Sequence, residues 1–170
     1  MTATLRPCRP EDAKTLVDLV RELAVYEELG HDAQATPDAF RTHLFGHRPF
    51  AEALLAELGG AAVGFALFFH TFSTFRGQPG LYLEDLFVRR AHRGRGIGKA
   101  LLKAVARIAV ERGCGRLEWA VLDWNAPAIG FYRSLGAEPL NQWTVYRIAD
   151  GPLARLADLA PPPTPGTDAG

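Results

Sequence analysis

The segment that most constrains this chain runs from Leu81 to Leu102: an apolar run ending at Val88, a basic turn rich in glycine, and an amphipathic helix. A strand that feeds a glycine turn at a helix start forms an anion site. The first helical N–H groups have no partner within the helix, and the helix dipole favours negative charge there. The glycines let the backbone approach a phosphate without a Cβ in the way. Two nucleotide motifs are excluded by single positions. A dinucleotide fingerprint needs a third glycine where Lys99 stands, and a Walker A loop needs a glycine at Arg93 and a hydroxyl at Ala100. A left-handed glycine turn without a ligand is the bland alternative, and the charge of the turn argues against it.

The chain carries 19 basic and 19 acidic residues, unevenly placed: residues 1–88 hold twelve acids and seven bases, and residues 89–170 hold seven acids and twelve bases. Seven Lys and Arg lie between Arg89 and Arg107 without one acid. Basic side chains around helix N-terminal amides suit a ligand with several phosphate charges. Aromatics are not interleaved among them and the net charge is zero, so a nucleic-acid partner is not expected.

At 170 residues with 48% hydrophobic and 22% charged content, the composition is that of a globular domain with its own core. No apolar run is long enough to cross a membrane, and no membrane partner is expected. The N-terminal residues lack a signal-peptide core, and two cysteines, Cys8 and Cys114, make no disulfide framework. A cytoplasmic setting with reduced thiols is expected. His43 and His47 have helical metal-ligand spacing but no third ligand nearby, so no metal site is expected. Cys114 reads as a buried hydrophobe rather than a nucleophile.

The pattern predicts strands at Thr4–Arg6, Ala51–Leu58, Ala62–His70, Leu81–Val88, Arg116–Leu122 and Leu140–Ile148. Helices are expected from Pro10 through Val25, from Pro37 to about Phe45, over Ile97–Arg112, and from Asn125 to Leu135. The first should bury Leu16, Leu19, Val20, Leu23 and Val25. One domain is expected over residues 1–150, followed in 151–170 by a short helix and a proline-rich tail (Pro161–Gly170) too polar to bury a core. Consecutive central strands suggest antiparallel pairing, and the strand–helix–strand unit around Ile97 suggests a parallel crossover. The fold class is α/β (α+β), a mixed central sheet flanked by helices.

From about Leu5 to Ile148 the chain resembles the GNAT N-acetyltransferases, and within them the diamine (spermidine/spermine) and thialysine acetyltransferase branch. The resemblance is carried by Arg21–Glu27 (RELAVYE), Val63–Ala66 (VGFA), Tyr82–Val88 (YLEDLFV), the Arg93–Gly98 loop (RGRGIG), Trp124–Tyr132 (WNAPAIGFY) and Leu135–Ala137 (LGA). The loop alone identifies the superfamily, and its combination with YLED and WNxPxxxFY is far more specific. The order of elements is that of the GNAT acyl-CoA N-acyltransferase fold.

The resemblance implies acetyl-CoA as the acetyl donor and assigns roles by position. Main-chain groups of Leu86, Phe87 and Val88 would pair with the pantetheine arm. Arg93, Gly94, Arg95, Gly96, Ile97, Gly98 and Lys99 would hold the pyrophosphate. Asn125, Pro127 and Ala128 would line the other side of the cofactor cleft, and Arg133 would reach a phosphate. Tyr132 matches the tyrosine beside the sulfur. Tyr26, Glu27, Glu84, Glu118, Trp119 and Ala120 match substrate-contact positions. The family also implies a homodimer, with Asn141–Ile148 near the subunit contact.

These residue types suit acetyl transfer to an amine. An alkylammonium has a pKa of roughly 10, so its proton must be taken before attack. Glu84 is the candidate base, directly or through water, and Tyr132 the candidate donor to the leaving thiolate. Asp85 follows Glu84 on the strand, so the two side chains should face opposite ways unless the strand is bulged. Tyr132 as a core residue and Glu27 as a solvated helix end remain open. In the loop before YLED, Ser73 and Phe75 stand where polyamine acetylases of this branch carry an acid and a tryptophan. That departure favours a small primary amine, lysine-like or diamine, over a long polycation. The alternatives are a protein lysine or N-terminal acetyltransferase and a non-catalytic acetyl-CoA-binding module.

Overall fold

The computed structural model describes residues 2–159. A five-stranded sheet has the order β1(Thr4–Pro7), β2(Glu52–Leu58), β3(Ala61–Ser73), β4(Gln78–Val88), β5(Leu117–Trp119). The first four strands pair antiparallel, and β5 lies parallel to β4, as the intervening helix requires. The mixed sheet expected from the sequence is formed.

Helix α1(Ala13–Tyr26) buries Ala13, Leu16, Val17, Leu19 and Leu23, a stripe at helical spacing. It packs on one face of the sheet against Ala53, Leu55, Phe65, Leu67 and Phe87. Val25, expected on that stripe, is 71% exposed instead, because two residues past Leu23 it stands about 200° around the helix from it, on the opposite face. Helix α2(Pro37–Phe45) starts at an N-cap in which Thr36 accepts from the Ala39 amide at 3.2 Å. Helix α3(Ile97–Glu111) buries Ile97, Leu101, Leu102, Val105 and Ala109 and packs on β2, β3 and β4. The alternate residues of those strands, Leu54, Ala66, Phe68, Leu81 and Leu83, are buried as well, so both faces of the sheet are covered.

Backbone contacts divide the chain after Leu122. The second unit holds helices α4(Ala126–Arg133) and α5(Asp150–Leu159). Two strand expectations are corrected. The strand expected over 116–122 is confined to Leu117–Trp119, and the one over 140–148 is not formed. Trp143 and Val145 alternate as strand residues do, but a strand needs a neighbour for its backbone groups, and the described residues of the second unit contain no other strand. Trp143, Val145 and Tyr146 are accordingly exposed. The proline-rich segment Pro161–Gly170 lies outside the described residues.

Candidate active site

The site begins with a slip in the β3–β4 ladder. Leu67 pairs with Asp85 and Phe68 with Leu83, which leaves Glu84 as an extra residue in β4. Before the bulge, Leu81 and Leu83 face α3, and Tyr82 faces the α1 side in ring contact with Phe69 at 5.4 Å. After it, Phe87 sits in the α1 core beside Phe65, so Asp85 shares the α1 side. Glu84 and Asp85 therefore face the same way, the condition under which both enter one cleft.

The electrostatics follow from that placement. Burial, with the charges of Glu84 and Glu27 added, pushes the Asp85 carboxyl up to about 7. Glu27, which caps the C-terminus of α1, is also raised, by burial. The Tyr82 phenol is raised by burial and by Glu84 and Glu118. Glu118 pairs across the parallel ladder with Tyr82 and forms an ion pair with Arg116 at 2.7 Å. Trp119 pairs with Leu83, and Ala120 lies just past the strand end. Glu27, Glu84 and Asp85 thus form a carboxylate group at the mid-point of β4. Asp85 is the member that sequence reasoning set aside on strand alternation. A bulge leaves no sequence signal of its own, and two adjacent acids in an otherwise apolar central strand were the available hint.

Next to the bulge, the outer edge of β4 is open. The β5 ladder ends at the Leu83–Trp119 pair. The Arg89 amide donates to the Val63 carbonyl on β3 at 2.9 Å. By antiparallel alternation the backbone groups of Phe87 face β3, while those of Leu86 and Val88 face the open edge. Of the three residues expected to pair with an extended ligand, Leu86 and Val88 present backbone groups to the open edge, where the Val88 carbonyl accepts from Arg93, and Phe87 contributes its ring to the core.

At the end of that edge the chain turns through Arg89 and a 3-10 turn, Arg90–His92, into Arg93–Gly96 and then α3. Gly94 and Gly96 have φ of 74° and 77°, a left-handed conformation that favours glycine. Gly96 is the N-cap of α3, with no side chain bonded to the helix start. The amides of Ile97, Gly98 and Lys99 therefore open on the N-terminus, with exposed Arg95 and Lys99 alongside. This cradle fits a pyrophosphate. Arg93 departs from the expected arrangement: its guanidinium turns back, with Nε donating to the Val88 carbonyl at 2.8 Å and Cζ 4.3 Å above the Tyr26 ring. Arg89 fixes the same corner, with Nε and Nη2 donating to the Glu22 carboxylate on α1 in three hydrogen bonds and Nη1 to the Ala62 carbonyl at 2.8 Å. An open groove of about 430 Å³ runs past this corner, lined by Val25, Tyr26, Phe87, Arg90 and Arg93.

In the second unit, Asn125 is buried and caps α4, accepting from the Ala128 amide at 3.3 Å. Pro127 stands in the first turn, where its missing N–H costs nothing. Tyr132 lies in α4 with its ring 5.3 Å from that of Phe131, and Arg133 ends the helix.

Comparison with known proteins agrees with this architecture. Residues 15–137 match the model of the acetyltransferase (GNAT) family. The thialysine N-epsilon-acetyltransferase of Bos taurus is 36% identical over 164 residues, covering 90% of this chain and 96% of that protein. The L-ornithine N5-acetyltransferase NATA1 of Arabidopsis thaliana is 30% identical, covering 94% and 90%. Among solved structures, an integron cassette protein from the V. cholerae mobile metagenome superposes with a TM-score of 0.78 at 28% identity, covering 92% of this chain and 98% of that one. The matched family transfers acetyl groups from acetyl-CoA. With the family match spanning most of the chain and near full-length relatives above 30% identity, this protein belongs to the GNAT family and is an N-acetyltransferase.

Proposed function

We propose that the chain acetylates a primary amine on a small cationic molecule, lysine-like, ornithine-like or a diamine, by direct attack on acetyl-CoA. The observation that carries this reading is the bulge at Glu84, which gathers Glu27, Glu84 and Asp85 on the α1 side of β4. Such a field draws an ammonium and repels an acidic substrate.

When bound, acetyl-CoA supplies the thioester carbonyl and the thiolate leaving group. The amides of residues 97–99, with Arg95 and Lys99, hold the pyrophosphate. Leu86 and Val88 offer edge groups to the pantetheine arm, and the sequence resemblance assigns cofactor contacts to Asn125, Pro127, Ala128 and Arg133. Glu84, exposed, attracts the ammonium, and Asp85 takes its proton. Transfer from an ammonium near 10.4 to an ordinary carboxylate near 3.9 is uphill by about 9 kcal/mol, and to a carboxylate at about 7 by only about 5. The raised Asp85 is thus the better acceptor. Tyr132 Oη donates to the leaving sulfur, a role resting on the sequence motif.

Acetyl-CoA turnover with lysine-like amines, diamines, acidic amines, and lysine and N-terminal peptides tests the assignment. Cationic small amines should be preferred. Equal rates with acidic amines would remove the carboxylates as recognition elements, and turnover of peptides alone would move the chain to the protein acetyltransferases. The same reading includes a cytoplasmic homodimer without nucleic-acid or membrane partners. Exposed Trp143, Val145 and Tyr146 support the dimer, since a second copy would bury them. Light scattering should give twice the 18.6 kDa chain mass, and a fully active monomer would overturn it.

A further inference from the structure

Arg93 touches three parts of the site at once. Its Nε is spent on the Val88 carbonyl, at the open edge of β4. Its cation stacks 4.3 Å over Tyr26, the last residue of α1, and lies 5.7 Å from the Phe87 ring. Its own backbone leads directly into Gly94 and the helix-start cradle. Tyr26 precedes Glu27, a member of the carboxylate group. A planar guanidinium can bond in its plane while stacking through its face, which an ammonium cannot do.

We infer that Arg93 is a positioning residue that braces the anion turn against Tyr26 and so couples filling of the phosphate cradle to the placement of the amine pocket. The inference rests on the acetyl-CoA reading above. If the turn is tightened by a bound phosphate, Arg93 is held over Tyr26 and the end of α1 is fixed beside the carboxylates. The coupling must then be reciprocal: a change confined to Tyr26 alters affinity at the cradle, although Tyr26 belongs to α1 and not to the turn. A residue that met phosphate only through its charge would show no such dependence.

The test is calorimetry with CoA on the full chain carrying Tyr26→Phe, Tyr26→Leu, Arg93→Lys, and the last two together. Loss of the stack should weaken CoA about three- to tenfold in Tyr26→Leu and in Arg93→Lys, the latter although charge is kept. The double variant should be no weaker than the worse single variant, and Tyr26→Phe, which keeps the ring, should weaken CoA less than Tyr26→Leu does. In Arg93→Lys the amine KM should rise several-fold more than kcat falls. Parent-like binding by Arg93→Lys, or strictly additive losses, would overturn the brace. If Tyr26→Leu fails to fold, Arg93→Lys decides the matter alone. Failure of the parent chain to bind CoA would instead sink the acetyl-CoA reading, and the brace with it.

Discussion

Glu84 and Asp85 are neighbours in sequence and face the same side of β4, because Glu84 is the extra residue of a bulge opposite Leu67 and Phe68. One of the pair is exposed and the other is half-buried with its carboxyl pushed up to about 7. That divergence separates the roles of attracting a cation and accepting its proton.

Asp85→Asn should therefore remove a limb of apparent pKa near 7 from the pH profile of kcat/KM and lower the rate by ~10²–10⁴-fold. It should also stabilise the fold at high pH. A carboxyl whose pKa rises from 3.8 to about 7 on folding holds its proton in the native chain when the unfolded chain has lost it. Stability thus falls as pH rises between those values. Asp85→Asn should gain ~1–3 kcal/mol at pH 8 and little at pH 4. Equal gains at both pH values in denaturant titrations would reject the raised carboxyl.

Gly96→Glu places a Cβ at φ 77° and a negative charge at the α3 N-cap. The left-handed conformation costs roughly 1 kcal/mol, and the charge opposes phosphate in the cradle. CoA affinity should drop at least ~10-fold by calorimetry. An unchanged Kd would show that the ligand binds elsewhere.

Tyr132→Phe deletes one hydroxyl and should reduce turnover by ~10²–10⁴-fold while CoA binding is retained, because the sulfur needs the proton only as the bond breaks. Single-turnover rates identical to the parent's would assign that proton to water.

Glu28 holds φ 62° just after α1, with the Leu29 amide bonded to the Ala24 carbonyl at 2.8 Å and the Glu28 amide to Val25 at 3.2 Å. This is the Schellman position at which glycine is favoured. Glu28→Gly should raise stability by ~0.5–1 kcal/mol, or about 1–4 °C in Tm. A lower Tm would mean that the Glu28 side chain stabilises the corner beside Tyr26.

Much of the framework was legible locally. The strand–turn–helix unit ending in α3, the Thr36 cap and Pro37 start of α2, and the left-handed glycines at 94 and 96 all follow from short-range rules and are where the sequence places them. Two readings were corrected. The apolar segment 140–148 forms no strand, and no strand among the described residues of its unit pairs with it. Val25 stands about 200° around α1 from Leu23, off the buried stripe.

The candidate site divides along the same line. Residue types and spacing determined that a basic glycine turn opens α3 and that two acids sit in the central strand, since helix-end amides, glycine backbones and period-two alternation are properties of the chain itself. Only the tertiary structure decided that Asp85 joins Glu84 and Glu27, and that Arg93 turns back onto Tyr26 and Val88. A bulge arises from the register between two strands, and a cation stacks on whichever ring another element brings to it. Both are relations between segments distant in sequence, and local pattern carries no record of them.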